Sequence, residues 1–116
     1  MLREQLKSKI HRARVTDGSV EYEGSISIPE DLCRQVDLWP GEKVLITSIT
    51  NGARLETYVQ YGPSEEKRII MNGAAARRVH VGDRISIISF AFSEKAVSAK
   101  KMLCNEANEV ISFEES

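Results

Sequence analysis

Apolar and polar positions alternate in short runs along most of this chain, the period of strands that bury one face. Runs rich in Val, Ile, Thr and Tyr recur between Gly, Asn and Pro punctuation, as in small barrels and sandwiches, and long helical stretches are absent. Lys43 to Thr50, then Asn51-Gly52, then Arg54 to Tyr61 read as a hairpin, because Asn-Gly supplies the two positive φ angles of a type I′ turn. Pro29 suits a first helical turn, where its missing N–H needs no partner. Residues 29–37 are therefore predicted as a short helix with Leu32 and Val36 inward. A second short helix is predicted at Ala74 to Arg78. After Phe92, the stretch Glu94 to Lys101 is compatible with helix, and two short strand-like runs surround Asn105 to Asn108.

A weak internal repeat organises these pieces. Leu38-Trp39-Pro40-Gly41-Glu42-Lys43-Val44-Leu45-Ile46 aligns with Val79-His80-Val81-Gly82-Asp83-Arg84-Ile85-Ser86-Ile87: an apolar lead-in, Gly and an acid, a base, then a strand. Each copy follows a predicted short helix. The glycine tolerates a tight backbone and the carboxylate can cap nearby N–H groups, which is the physical use of that pair at a crossover turn. Two such units in one small chain resemble a mainly β, six-stranded double-psi β-barrel with short helices and a pseudo-two-fold axis.

With 116 residues, a single domain spanning 1–116 is expected, small enough that oligomerisation would add useful buried surface. The net charge of -1, with both signs mixed along the chain, offers no broad attraction to phosphate backbones or anionic membranes. No apolar run approaches the roughly 20 residues of a membrane span, and the first residues lack the apolar core of a signal peptide. The expectation is a cytoplasmic protein with no nucleic-acid or membrane partner. Cys33 and Cys104 stand far apart with no metal-ligand spacing near either and read as free thiols. No metal site is expected.

Gly24-Ser25 is by itself a common loop dipeptide. Its company is distinctive: Lys9-Ile10-His11-Arg12-Ala13 precede it, Thr50-Asn51-Gly52 and Arg54 to Tyr58 follow, and then comes Asn72-Gly73-Ala74-Ala75-Ala76-Arg77. In this order and spacing, from Met1 to Phe92, these segments resemble the aspartate α-decarboxylase family. The resemblance implies that Ser25 attacks the carbonyl of Gly24, and that β-elimination and hydrolysis then turn residue 25 into a covalent pyruvoyl cofactor. The products would be a β chain, 1–24, and an α chain, 25–116. A glycine before the serine leaves the attack path open and can take up a strained backbone conformation. The ketone would act as electron sink for converting L-aspartate to β-alanine and CO2, the reaction that supplies pantothenate synthesis.

Roles carried over by resemblance also make physical sense. Tyr58 is the proton donor, since a phenol holds its proton at neutral pH. Arg54 meets the substrate carboxylate, which a guanidinium can clamp with two parallel hydrogen bonds. Lys9 lies near the substrate and His11 near the processing site; two apart on a predicted strand, they face one way, and a solvated basic edge is the plain alternative. Asn72 and Thr57 can donate to the oxyanion formed at Gly24. Gly73, Ala74 and Ala75 can offer backbone N–H groups to an anion, and Tyr22 aids self-cleavage. Strand alternation puts Arg54, Glu56 and Tyr58 on one face and Leu55, Thr57 and Val59 on the other, so a twist or bulge is expected beside the site. The family also implies a homotetramer with active sites between subunits, and leaves any accessory maturation protein unspecified.

Two departures stand out: Thr47 occupies a position often filled by a larger apolar residue, and the segment after Phe92 matches poorly. His80, alone on a predicted turn, reads as a surface residue. A rival from another class exists, because Ile26-Ser27-Ile28-Pro29 through Leu38-Trp39-Pro40-Gly41-Glu42-Lys43-Val44 resembles small swapped-hairpin DNA-binding regulators. Such a protein should show a basic face and salt-sensitive DNA binding. A structural oligomer module with a dead site fits only a precursor that never cleaves.

Overall fold

A computed structural model describes residues 1–116. Its strands are β1 (Arg3–Arg14), β2 (Asp17–Ser19), β3 (Ser25–Pro29), β4 (Lys43–Ser48), β5 (Arg54–Gly62), β6 (Ile70–Asn72), β7 (Arg84–Ser93), β8 (Lys100–Cys104) and β9 (Val110–Glu115). One helix, α1 (Glu30–Val36), joins β3 to β4, and a five-residue 3₁₀ helix, Gly73–Arg77, joins β6 to β7. The protein is mainly β, as the alternation predicts.

Hydrogen-bonded neighbours run β2-β6-β3-β5-β4-β7-β1-β8-β9. Only Val15 and Thr16 part β1 from β2, so the series from β2 to β1 begins and ends on one stretch of chain. The Val15 N–H bonds the Asp83 carbonyl at 3.0 Å and the Thr16 N–H bonds that of Ile69 at 2.8 Å, tying this stretch to the entries of β7 and β6. Six strand positions result, consistent with the expected barrel, with β8 and β9 added outside β1. The pairings obey a pseudo-two-fold rule. β5 runs parallel to β3 and antiparallel to β4. The β1–β2 stretch runs antiparallel to β7 and parallel to β6 in the same way, and across the axis β3 pairs with β6 and β4 with β7.

The two sequence copies occupy equivalent places. Leu38 and Val79 are both buried, and Gly41 and Gly82 both adopt positive φ, at 85° and 94°. Glu42 Oε1 accepts from the Trp39 N–H at 3.0 Å, and Asp83 Oδ2 from the His80 N–H at 2.9 Å. Each carboxylate thus closes its own crossover turn. Alternate β-branched side chains fill the interior: Ile10, Ile26, Ile28, Ile46, Ile85 and Ile87 are fully buried. Each such side chain contributes roughly 1.5–3 kcal/mol on leaving water. Cys33 and Cys104 are free and buried, and burial above all pushes their thiols up, to about 12 and about 11.

Pro29 stands at the N-cap of α1, whose Leu32 and Val36 face the core as predicted. The second helix forms as the 3₁₀ turn Gly73–Arg77, closed by the Arg78 N–H on the Ala75 carbonyl three residues back, and Val79 follows it into the core. The β4–β5 hairpin is present, but its turn is not type I′. Gly52 has φ 77° whereas Asn51 does not take positive φ. The Ile49 N–H bonds the Arg84 carbonyl at 2.8 Å, so β7 draws residue 49 out of the hairpin and leaves a five-residue loop, 49–53. The helix considered at Glu94 to Lys101 does not form either. β8 instead extends along the free edge of β1, and the Gln5 side chain holds the Val97 N–H and the Lys95 carbonyl on the way. No helix is long and apolar enough to cross a membrane.

Candidate functional site

Ser25 opens β3, where it pairs with Asn72 on antiparallel β6 while β5 lies parallel on the other side. Ile26 and Ile28 enter the core, which turns Ser25 and Ser27 to the opposite face. There the Ser25 hydroxyl, fully buried, accepts from Asn72 Nδ2 at 2.9 Å and donates to Gln60 Oε1 at 2.9 Å. Ser27 Oγ sits at the margin of the same network, 3.4 Å from Asn72 Nδ2 and 3.5 Å from Gln60 Oε1. Asn72 is the N-cap residue of the 3₁₀ helix, yet its side chain caps nothing there. The amide donates to Ser25 instead.

The left-handed backbone beside the serine belongs to Gly73 and not to Gly24. Gly73 has φ 74° and packs against the Gly24 backbone. A methyl group on Gly73 would lie 2.7 Å from Gly24 Cα, 2.9 Å from Gly24 N and 3.2 Å from the Tyr22 carbonyl oxygen. Gly73 thus fits against the N–Cα bond of Gly24 because it has no side chain. Tyr22 itself projects into solvent, Ala74 is exposed and Ala75 half-buried.

On β5 the alternation is regular: Arg54, Glu56 and Tyr58 are exposed, Thr57 is half-buried and Val59 buried. The ladder to β4 is unbroken from Lys43 opposite Tyr58 to Thr47 opposite Arg54, so the bulge expected here is absent. It occurs instead on β1, where Arg12, at φ 64°, shifts the register just after His11. Because Ser27 pairs with Gln60 and Ile26 with Val59, Tyr58 falls on the Ser25 face and Thr57 on the Val59 face. Thr57 makes no side-chain hydrogen bond to the Ser25 cluster within one chain.

Lys9 and His11 share a face of β1, as predicted, and the cavity they line does not include Ser25. With Lys101, Leu103, Phe113 and Glu114 they line a cavity of about 420 Å³ between β1 and the β8–β9 hairpin. His11 Nδ1 lies 2.9 Å from Ser86 Oγ. Burial, then the charges of Lys9, Arg12 and Arg84, hold the imidazole below its usual pKa. His80 is exposed on its turn. No group of three or more His, Cys, Asp or Glu side chains is placed to hold a metal ion. Gln60 was missed from sequence. It lies on the polar face of β5 with Arg54, Glu56 and Tyr58, where nothing in the sequence marks it out, and only the parallel β3–β5 pairing gives it a partner.

A family model described as aspartate decarboxylase matches residues 1–111. The aspartate 1-decarboxylase of Coprothermobacter proteolyticus is 46% identical over 112 residues, covering 95% of this chain and 93% of that protein. That of Thermotoga petrophila is 46% identical over 111 residues, 96% of this chain and 97% of the relative. The enzyme of the same name from Desulfitobacterium hafniense strain DCB-2 is 50% identical over 97 residues, 83% of this chain and 76% of its own length.

Proposed function

This chain belongs to the aspartate decarboxylase family, and from that premise we propose that it cuts itself between Gly24 and Ser25 and then converts L-aspartate to β-alanine and CO2. The observation that carries the first half is the buried Ser25 hydroxyl, held between Asn72 Nδ2 and Gln60 Oε1 directly after Gly24. Ser25 Oγ attacks the Gly24 carbonyl carbon, the C–N bond between the two residues breaks, and the hydroxyl proton ends on the Ser25 nitrogen. Loss of the Ser25 α-proton and of the Gly24 carboxylate from this ester leaves dehydroalanine. Water then displaces its nitrogen as ammonia, and residue 25 becomes a pyruvoyl group. The residues present fit that group, since Asn72 Nδ2 can donate to a ketone oxygen as it does to a hydroxyl.

The pyruvoyl ketone supplies the electron sink that amino-acid decarboxylation requires. Arg54 clamps a substrate carboxylate, Lys9 adds a second positive charge, and the N–H groups of Gly73, Ala74 and Ala75 face an anion. Tyr58, on the Ser25 face of β5, protonates the former α-carbon. His11, Tyr22, Thr57 and Asn72 assist self-cleavage. Lys9 and His11 line a cavity that does not include Ser25, which supports a complete site formed between neighbouring subunits of a homotetramer in the cytoplasm. Exposed Trp39, Phe90 and Phe92 supply apolar surface for such contacts.

Intact mass under denaturing conditions, paired with an assay for β-alanine, tests this reading. The outcome expected is two chains split before residue 25 and aspartate-dependent β-alanine. Ser25→Ala should leave one chain and no product. Wild-type protein that stays whole, or makes no β-alanine once cut, refutes the reading. The DNA-binding alternative has no support from the family or the relatives.

A further inference from the structure

We propose that Gln60 is a positioning residue for self-cleavage, aiming the Ser25 hydroxyl at the Gly24 carbonyl by accepting its hydrogen. The inference rests on the self-cleavage reading above. Ser25 is fully buried, so no solvent is available to orient its hydroxyl. Two groups do so. Asn72 Nδ2 is a donor and occupies an Oγ lone pair at 2.9 Å, while Gln60 Oε1 is an acceptor and takes the hydroxyl hydrogen at 2.9 Å. Donor and acceptor together define where the remaining lone pair points, which is the nucleophilic one.

The register explains why Gln60 can reach. Ser27 lies opposite Gln60 in the parallel β3–β5 ladder, and Ser25 stands two residues earlier on the same face. Ser27 Oγ, 3.5 Å from the same Oε1, flanks the amide from the other side. An amide oxygen is too weak a base to keep the proton. Its part is orientation, and the proton passes in the end to the departing Ser25 nitrogen, so the step balances without any outside acid or base. Removing Oε1 leaves a buried hydroxyl hydrogen without an acceptor, and the hydroxyl then rotates to whatever acceptor it can find, away from the productive rotamer.

The test follows maturation of freshly made precursor over time by denaturing gel and intact mass, for wild type, Gln60→Met and Gln60→Glu. Met matches the length of Gln but has no acceptor oxygen. Glu restores one whether or not its carboxyl is protonated. One neutral hydrogen bond corresponds to about a two- to tenfold change in rate, so Gln60→Met should mature that much more slowly. Gln60→Glu should return to the wild-type rate or exceed it. A purely structural role predicts no such rescue, because Glu disturbs packing and charge more than Met does. Should Gln60→Met misfold, Gln60→Leu takes its place with the same readings. Equal maturation of Gln60→Met and wild type overturns the role of Gln60, as does Gln60→Glu that is as slow as Gln60→Met. A wild-type chain that never cuts refutes self-cleavage itself, and the role of Gln60 with it.

Discussion

Replacing Gly73 by alanine adds a single methyl group against the Gly24 backbone, next to the bond proposed for cleavage. Two costs follow from the geometry. Gly73 sits at φ 74°, in the left-handed region, where an L residue costs roughly 1–2 kcal/mol. The new Cβ would also lie 2.7 Å from Gly24 Cα and 2.9 Å from Gly24 N, both backbone atoms that cannot swing aside as a side chain would. Overpacking of this kind costs roughly 1–3 kcal/mol, so the total loss should be about 2–5 kcal/mol. Gly41 provides the control, since it has φ 85° with nothing within 4 Å of an added methyl group and should show the conformational part alone. Both variants would be unfolded in urea at one protein concentration in a Ser25→Ala background, which keeps every chain uncut. In the self-cleaving background the contact predicts a second effect. Relief from 2.7 Å to the 3.4 Å of ordinary contact moves Gly24 by about 0.7 Å, and a displacement of that size should slow cleavage by roughly ten- to a hundredfold. Gly73→Ala that is no less stable than Gly41→Ala and matures at the wild-type rate refutes the close-packing argument.

Tyr58→Phe removes a hydroxyl from the exposed face of β5 and should still mature to two chains, while turnover falls by roughly 10²–10⁴-fold; normal turnover with chemistry rate-limiting would remove Tyr58 as proton donor. Arg54→Ala should lower kcat/KM for aspartate in fully cut enzyme by about tenfold or more, since hydrogen bonds to charged groups contribute roughly 1.5–3 kcal/mol. An unchanged ratio counts against the carboxylate clamp. His11 predicts a pH dependence. Its folded pKa lies below the ordinary 6.5, so the unfolded chain takes up the proton first on acidification. The stabilisation is complete above about pH 6.5 and is lost as pH falls through the folded value. Urea unfolding from pH 7 to 5 should therefore show a shallower decline in His11→Gln than in wild type, and parallel declines would remove His11 as the source.

Several features were legible in the chain because they are settled within a few residues. Pro29 before an amphipathic stretch starts α1, and Gly41-Glu42 and Gly82-Asp83 each carry both the backbone freedom and the carboxylate that their turn needs. Alternation along β4, β5 and β7 reports which side chains leave water. Ser25 after Gly24 and Asn72 before Gly73 could be named as candidates from the chain, and the fold brings their side chains together. Tertiary structure decided everything that depends on which strands become neighbours, because pairing is a contest among distant segments and no local propensity encodes its outcome. The Asn51-Gly52 turn opened into a five-residue loop once Ile49 bonded Arg84, and residues after Phe92 became strand because β1 had an edge to offer. The same holds for the site. Parallel pairing of β3 with β5 brought Gln60 to Ser25, and the left-handed turn at Gly73 placed the tight contact under Gly24. Strand order likewise put Lys9 and His11 against the β8–β9 hairpin, in a cavity that does not include Ser25, since nearness in sequence puts two side chains on one strand, while their neighbours are set by which strands pair.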